Sequence, residues 1–120
     1  MDHEGKLAII TGAGRNIGEA IAHRLAEDGA SIAVVDLDQG RADKVVADLL
    51  GKGVAAAPFV CDVSSPEQIM ATVNAIHEEF KRIDILVNNV AISDNKSILE
   101  IDLTTWQKTL DITLTAPFYF

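Results

Sequence analysis

The stretch that decides the fold runs from residue 7 to residue 18 and reads LAIITGAGRNIG. It opens with four apolar residues and a threonine, passes through a glycine-rich turn, and leads into apolar residues at four-residue spacing from Ile17 to Leu25. A continuous apolar run is typical of a strand covered on both faces, and the four-residue spacing is typical of an amphipathic helix. The stretch therefore predicts a strand, a tight loop and a helix that closes at Gly29.

The same alternation of strand-length and helix-length segments continues along the rest of the chain. Further apolar runs predict strands at residues 31–35, 54–60 and 83–87. The helical stripes between and after them consist of Ala42, Val45, Val46, Leu49 and Leu50, of Ile69, Val73, Ile76 and Phe80, and of Trp106, Leu110 and Leu114. Ser65-Pro66 with Gln68 predicts the start of the third helix, and Thr104 with Gln107 predicts the start of the fourth. The β-α-β-α-β-α-β-α order predicts one α/β domain on an open, doubly wound parallel sheet.

The end of the sequence predicts that this sheet is truncated after the fourth strand and the fourth helix. The last helix runs into Ala116-Pro117-Phe118-Tyr119-Phe120 without a polar end or a glycine cap. The fourth strand has no later strand to cover its outer edge, and natural proteins avoid an apolar, uncovered edge. We therefore expect residues 1–120 to be the N-terminal part of a longer single-domain protein.

Composition and charge exclude several classes of function. The net charge of −8 argues against binding to nucleic acid or to an anionic membrane surface, because both need a basic patch. Residues 1–6 include two acidic residues at the place where a signal peptide has basic residues. The apolar run that follows is too short for a membrane helix. The single cysteine, Cys61, leaves no disulfide framework and fits a reducing compartment. We expect a cytoplasmic protein with no nucleic-acid or membrane partner.

The histidines give no indication of a metal site. His3, His23 and His77 share no metal-ligand spacing, and no second cysteine accompanies Cys61. The expectation is therefore that no metal is bound.

The glycine-rich loop has the features of a phosphate-binding turn. Gly12, Gly14 and Gly18 lie between a predicted strand and a predicted helix, where a Cβ would block the close approach of backbone to phosphate. The backbone N–H groups and the positive end of the helix favour a pyrophosphate. Asp36 ends the second strand 18 residues beyond Gly18, where a carboxylate can accept hydrogen bonds from the adenosine ribose hydroxyls. The combination predicts a dinucleotide-binding domain.

The residues around Asp36 also bear on the choice of cofactor. A carboxylate at this position repels the 2′-phosphate of NADP, and the next residue is Leu37 rather than a base. Arg15 is the counter-argument, since a loop arginine can pair with that phosphate. A solvated Arg15, or one paired with Asp36, is the preferred interpretation. The sequence predicts NAD, with NADP as the less favoured cofactor.

These motifs, in this order and spacing, resemble the short-chain dehydrogenase/reductase family over essentially the whole chain. The residues that carry the resemblance are Thr11-Gly12, Gly18, Asp36, Cys61-Asp62-Val63 and Asn88-Asn89. Within the family the chain is similar to 3-oxoacyl-carrier-protein reductases and related sugar and alcohol dehydrogenases. The resemblance implies a Rossmann-type fold and an oxidoreductase that moves hydride between a nicotinamide and a small carbonyl or alcohol substrate.

The resemblance also implies roles for single residues. Those that would surround the pyrophosphate and the adenosine ribose are Gly12, Arg15, Asn16, Ile17 and Gly18. Asp62 would accept a hydrogen bond from the adenine amino group, with Val63 beside it. Asn89 would lie near the cofactor ribose, and Asn88 would tie the fourth strand to its neighbours. Two plainer interpretations stay open: Asp62 as a turn residue before the third helix, and the two asparagines as strand-end caps.

The sequence departs from the family pattern at three places. Asn16 stands where the family has glycine, and asparagine is the residue after glycine that best tolerates a left-handed backbone. Val90-Ala91 replaces the family's Ala-Gly and stiffens the turn beside the nicotinamide. Thr113 stands at the position of the family's catalytic asparagine, and its hydroxyl cannot reproduce the amide donor and acceptor. A proton relay through this position would be altered.

The family's catalytic Ser and Tyr-x-x-x-Lys pair, with Tyr as general acid/base, are not found among these residues. The chain has one tyrosine, Tyr119, so we expect this polypeptide alone to be inactive. The alternative to an enzyme is a non-catalytic NAD-binding module, or a degenerate family member that acts through a partner. A phosphorelay receiver domain has a similar size but needs paired acids where this chain has Thr11-Gly12.

The fourth helix bears on assembly. In the family the fourth and fifth helices pack against the same helices of another subunit, and Leu103, Trp106 and Leu110 would suit such a surface. Core packing explains these three residues equally well. A homo-oligomer of the complete protein is expected.

Overall fold

The computed structural model describes residues 1–93 and 95–120. Its elements are β1 (Leu7–Thr11), α1 (Asn16–Glu27), β2 (Ser31–Asp36), α2 (Gln39–Gly51), β3 (Ala56–Val60), α3 (Pro66–Phe80), β4 (Ile85–Val87), α4 (Leu103–Leu110), a π-helical turn (Asp111–Thr115) and α5 (Ala116–Tyr119). The predicted alternation of strands and helices is confirmed, and each observed strand lies within one residue of its prediction or inside it.

The four strands form one parallel sheet in the order β3-β2-β1-β4. The chain steps outward in one direction from β1 through β2 to β3 and then returns to the other side of β1 with β4. The order therefore reverses between β1 and β4. In open α/β sheets, ligands bind at the carboxyl ends of the strands beside such a reversal.

The sheet is covered by helices on both faces. Ala8 and Ile10 of β1 belong to a buried cluster with residues of α1 and α2. Leu7 and Ile9 point to the opposite face, in a second cluster with residues of α3 and of the π-helical turn. All five residues of β1 are buried. This is the doubly wound arrangement that the continuous apolar runs predict, since neither face of the central strands meets solvent.

The buried face of α1 differs from the predicted stripe. Gly18, Ala22 and Ala26 are buried, whereas Ile17 is 70% exposed. Small side chains let the helix backbone approach the sheet closely, and Ile21 and Leu25 pack along the side of the contact. The four-residue spacing thus located the helix but placed its inner face one residue off.

The starts of α3 and α4 are fixed by capping side chains. Ser65 Oγ accepts a hydrogen bond from the Gln68 N–H at the start of α3, as predicted. At α4 the cap is Asp102, whose carboxylate accepts from the Thr105 N–H at 2.7 Å. The predicted cap at Thr104 is wrong by two residues, because the carboxylate of Asp102 supplies the cap and the helix begins at Leu103.

The predicted apolar stripe of the fourth helix is also corrected. Leu103, Trp106 and Leu114 are 78%, 49% and 69% exposed, and the buried residues are Ile112 and Ala116. A π-helical turn takes up an extra residue and rotates the following side chains around the helix axis. Core packing within this chain therefore does not account for Leu103 or Trp106.

Within residues 1–93 and 95–120, no helix combines the length and apolarity that crossing a membrane requires.

Candidate functional site

Three segments meet at the carboxyl ends of the strands, beside the reversal of strand order. They are the loop after β1, the turn after β2 and the segment after β4. Two adjoining hollows lie among them. The larger, of about 380 Å³, is lined by Arg15, Asn16, Ile17, Arg41 and Asn89. The smaller, of about 130 Å³, is lined by Val35, Asp62, Val63 and Ile112. Gly12, Asp36 and Val90 line both hollows.

Glycine is required at two positions of the loop after β1 and at one position in the first turn of α1. Gly12 has a φ of +65°, and a Cβ there would lie 2.9 Å from Asn89 Nδ2. A Cβ on Gly14 would lie 2.6 Å from Asp36 Oδ2, and one on Gly18 would overlap the carbonyl oxygen of Gly12. The loop is thus a tight cradle. The first N–H groups of α1 have no partner within the helix at this end, which favours an anion.

Asn16 occupies the family's glycine position with a left-handed backbone. Its φ is +52°, so the expectation that asparagine tolerates this conformation is confirmed. The Asn16 side chain is exposed and lines the larger hollow. The loop therefore keeps its shape without glycine but presents an amide where the family pattern leaves open space.

Asp36 anchors the loop. The residue is 8% exposed, and its Oδ2 accepts a hydrogen bond from the Gly14 N–H at 2.9 Å. Its Oδ1 accepts from the Asp38 N–H, also at 2.9 Å. Backbone groups, rather than Arg15, hold this carboxylate. Each carboxylate oxygen has a second lone pair, so both remain competent to accept a further hydrogen bond.

Arg41 is a site residue that the sequence analysis missed. It lies in the first turn of α2, with its Cβ beside Gly14, and it lines the larger hollow together with Arg15. Its position could have indicated this place in the sequence, because Arg41 follows Asp36 by five residues and the helix cap Asp38 by three. Two arginines and one buried carboxylate therefore border the same hollow.

Asp62 has the geometry of a turn residue. Its Oδ1 accepts hydrogen bonds from the Ser64 hydroxyl at 2.6 Å and from the Ser64 N–H at 2.9 Å. These bonds, the hydroxyl first, hold the pKa of Asp62 below its ordinary value. Together with Val63 it lines the smaller hollow, whose other walls are mostly apolar. The contacts of Asp62 are therefore those of a turn residue before α3. They leave the carboxylate at the wall of the hollow, where it can also accept a hydrogen bond from a bound ring.

Asn89 ties the segment after β4 to the glycine loop. Its Nδ2 donates to the carbonyl of Thr11 at 3.1 Å and to that of Gly12 at 3.4 Å. Its backbone N–H donates to Thr11 Oγ1 at 3.0 Å. Asn88 is exposed, so the link between strands that we expected of Asn88 is made by its neighbour. β4 ends at Val87, so both asparagines lie beyond the strand, and it is Asn89 whose backbone N–H and side chain both reach Thr11.

Thr113 lies in the π-helical turn and holds the same segment from the other side. Its Oγ1 accepts a hydrogen bond from the Ile92 N–H and donates to the Ile92 carbonyl, each at 3.2 Å. The hydroxyl is therefore engaged with backbone. Single π-helical turns are frequent at functional sites, and this one lies against the segment that borders both hollows.

The residues present fit a dinucleotide. A cradle that a Cβ would fill lies at the start of a helix, a buried carboxylate ends β2, and a small, mostly apolar hollow of about 130 Å³ adjoins them.

Comparisons with known proteins agree with this geometry. Residues 6–120 match the family model described as short chain dehydrogenase. The chain is 41% identical over 115 residues to D-threitol dehydrogenase of Mycolicibacterium smegmatis, an alignment that covers 96% of this chain and 44% of the relative. It superposes on a crystal structure of NAD⁺-bound xylitol dehydrogenase with a TM-score of 0.92 and 36% identity, covering 99% of this chain and 46% of that one. For a short chain dehydrogenase from Burkholderia cenocepacia J2315 in complex with NADP the TM-score is 0.95 and the identity 35%, covering 99% and 49%. The chain thus spans about half the length of the relatives it matches.

Proposed function

The chain belongs to the short chain dehydrogenase family, and we propose that it is the nicotinamide-dinucleotide-binding part of an oxidoreductase acting on a small carbonyl or alcohol. The observation that carries the proposal is the glycine cradle at the reversal of strand order. Three glycines there are each required by contact, and the buried Asp36 fixes the loop. When bound, the nicotinamide supplies the hydride acceptor or donor.

Each element of the site has a proposed role toward the cofactor. The residues proposed to face the pyrophosphate and the adenosine ribose are Gly12, Arg15, Asn16, Ile17, Gly18 and Asp36. Asp62 and Val63 are proposed to hold the adenine in the smaller hollow, and Asn89 to lie near the nicotinamide ribose. Their positions around two adjoining hollows support these roles.

We propose NAD over NADP. The buried Asp36 carboxylate supports this choice, because a 2′-phosphate near it would meet like charge. Arg15 and Arg41 are the opposing feature, and structures of relatives hold either cofactor. Calorimetric titration of the chain with NAD⁺ and with NADP⁺ tests the choice. We expect NAD⁺ to bind at least about tenfold more tightly, a difference of about 1.4 kcal/mol, and equal affinities would remove the argument from Asp36.

The substrate class proposed for the complete protein is a small alcohol or carbonyl compound. Two of the similar proteins are named for polyols, threitol and xylitol, which supports a polyol among the alcohols to be tried first. We propose that residues 1–120 alone carry out no turnover, since their only tyrosine is Tyr119. Sustained oxidation of NADH by this polypeptide with a carbonyl compound would contradict that.

A second candidate function is a non-catalytic NAD-binding module. Thr113 favours it, because its hydroxyl is engaged with the backbone of Ile92 at the position where the family has a catalytic asparagine. The two candidates differ in one measurement on the protein purified from its natural host. Turnover of NAD⁺ with a panel of alcohols supports the enzyme, and saturable NAD⁺ binding without turnover supports the module.

We also propose that the complete protein is a homo-oligomer. The exposure of Leu103 and Trp106 on α4 supports a subunit contact there. Analytical ultracentrifugation of the complete protein tests this, with Trp106→Glu expected to shift the population toward monomers and a monomeric wild type refuting the contact.

A further inference from the structure

We propose that Glu19, His23 and Asp48 form a site for a divalent transition-metal ion, best suited to Zn²⁺, where α1 meets α2. Among residues 1–93 and 95–120 these three side chains each offer one ligand atom, and the three atoms all lie within 4.8 Å of one another. Glu19 and His23 are one helical turn apart on α1, and Asp48 comes from α2. In the described part of the chain, none of the three lines either cofactor hollow.

The three side chains need little rearrangement to bind an ion. His23 Nε2 and Glu19 Oε1 are 3.9 Å apart, with side chains 21% and 33% exposed. Zinc–ligand bonds of about 2.0–2.2 Å place neighbouring ligand atoms about 3.3 Å apart in a tetrahedral site. The required contraction is about 0.6 Å between His23 and Glu19 and at most about 1.5 Å for the other pairs. Rotation of the exposed Asp48 side chain and of the flexible Glu19 side chain can supply it. The helices themselves are held in place, because α1 and α2 share one buried cluster.

The donor set decides the kind of ion. One imidazole and two carboxylates favour Zn²⁺ and related transition metals over Mg²⁺ and Ca²⁺, which prefer oxygen ligands alone. Two carboxylates also neutralise a doubly charged ion. Three protein ligands leave one tetrahedral position for water, as in zinc sites that are open to solvent.

Lys52 supplies a second observation at the same place. Its Nζ lies 3.4 Å from His23 Nδ1, and the residue is the C-cap of α2, one helical turn beyond Asp48. An ammonium group therefore already lies beside the imidazole ring that would bind the ion. A zinc ion would be repelled by that charge, so removing the charge of Lys52 should strengthen zinc binding. This increase is a result that loss of a merely structural contact would not produce.

The consequence of binding is a cross-link between two helices. Asp48 lies in the last turn of α2, and His23 lines a hollow with Gly29 and Gly53 at the end of the sheet opposite the cofactor hollows, so the ion would brace α1 against α2 there. Because the ion would bind the folded chain in preference to the unfolded chain, it should raise the unfolding temperature.

The experiment is calorimetric titration of the untagged 120-residue chain with ZnCl₂ and, separately, with MgCl₂, together with thermal unfolding with and without Zn²⁺. We expect one Zn²⁺ per chain, a higher unfolding temperature with Zn²⁺ and no measurable Mg²⁺ binding. His23→Asn, Glu19→Gln and Asp48→Asn should each weaken Zn²⁺ binding by at least about tenfold. Lys52→Met should tighten it several-fold, whereas Lys52→Arg should not.

His77→Asn on α3 is the matched control, because His77 is an exposed histidine on a different helix. It should leave Zn²⁺ binding unchanged. Absence of Zn²⁺ binding, or equal affinities for the wild type and His23→Asn, would overturn the proposal. So would a loss confined to His77→Asn. Circular dichroism of each variant identifies any that fail to fold. If His23→Asn does not fold, the Zn²⁺ affinities of Glu19→Gln and Asp48→Asn decide the test. No nicotinamide cofactor enters these measurements, so their outcome is independent of the proposed oxidoreductase function.

Discussion

Replacing Thr11 by valine removes a single hydroxyl from the junction between β1 and the segment that follows β4. That hydroxyl oxygen accepts hydrogen bonds from the Asn89 N–H at 3.0 Å and from the Val90 N–H at 3.3 Å. The hydroxyl also donates to the Val87 carbonyl at 3.4 Å. Thr11 is 2% exposed, so the change occurs in the protein interior. Valine has nearly the same shape, and the substitution therefore isolates the polar contacts.

The expected loss of stability follows from the two backbone donors. A buried N–H left without an acceptor costs about 1–3 kcal/mol. Both donors are partly rather than fully buried, and the 3.3 Å bond is the weaker, so we expect about 2 kcal/mol for Thr11→Val. Thr11→Ser keeps the hydroxyl and deletes one methyl group, which costs about 1 kcal/mol. The two variants should therefore differ by about 1 kcal/mol, roughly a fivefold change in the unfolding equilibrium constant.

Urea denaturation followed by circular dichroism measures both variants against the wild type. The same proteins can be titrated with NAD⁺, because residues 89 and 90 line the larger hollow. We expect Thr11→Val to weaken NAD⁺ binding and Thr11→Ser to leave it nearly unchanged. A Thr11→Val protein as stable as Thr11→Ser, with the same NAD⁺ affinity, would refute the assignment of this hydroxyl as the link between β1 and the cofactor-lining segment.

Two further predictions concern the glycine cradle and the start of the sheet. Gly18→Ala should abolish measurable NAD⁺ binding and destabilise the fold by about 1–3 kcal/mol, because its Cβ would overlap the Gly12 carbonyl. Gly51→Ala is its control: no atom lies within 4 Å of a Cβ there, so binding should persist and stability should rise by about 0.5–1 kcal/mol. Asp84 accepts hydrogen bonds from Arg82 and from the Leu7 N–H, which lower its pKa from 3.8 to about 2. Since the folded-state pKa is depressed, the stabilisation is present above the unfolded pKa and is lost as the pH falls through about 2. Asp84→Asn should therefore be less stable than the wild type near neutral pH, and the difference between their urea midpoints should shrink on acidification. A difference that does not change with pH would count against the role of this carboxylate.

The sequence predicted the strands well because of how the sheet is buried. Both faces of β1 and β2 are covered, so every position can be apolar and the runs stand out. The inner face of α1 was harder to predict. Its buried residues are glycine and alanine, whose contribution is close approach rather than hydrophobic bulk, while the larger Ile17 lies outside. The spacing of apolar residues did not indicate the π-helical turn at Asp111–Thr115, in which Ile112 is buried and Leu114 is exposed.

For the site, the sequence indicated the location but not the contacts. Gly12, Gly18 and Asp36 could be placed together from the strand–loop–helix pattern and its spacing. Asn89 was added by the family resemblance. The double anchoring of Asp36 depends on the path of the loop, which brings the Gly14 N–H to it from 22 residues away. The group of Glu19, His23 and Asp48 joins two helices, so the spacing of histidines along the chain cannot reveal it.

An NMR titration of the ¹⁵N-labelled chain with NAD⁺ shows directly where the dinucleotide binds. We expect saturable shifts of the backbone amide signals of residues 12–18, of Leu37 and of residues 89–92, with little change at the far end of the sheet around Gly29 and Gly53. These shifts should vanish in Gly18→Ala and persist in Gly51→Ala. Shifts that centre on another surface, or an absence of shifts at millimolar NAD⁺ in a folded protein, would contradict the claim that this edge of the sheet is a dinucleotide-binding site.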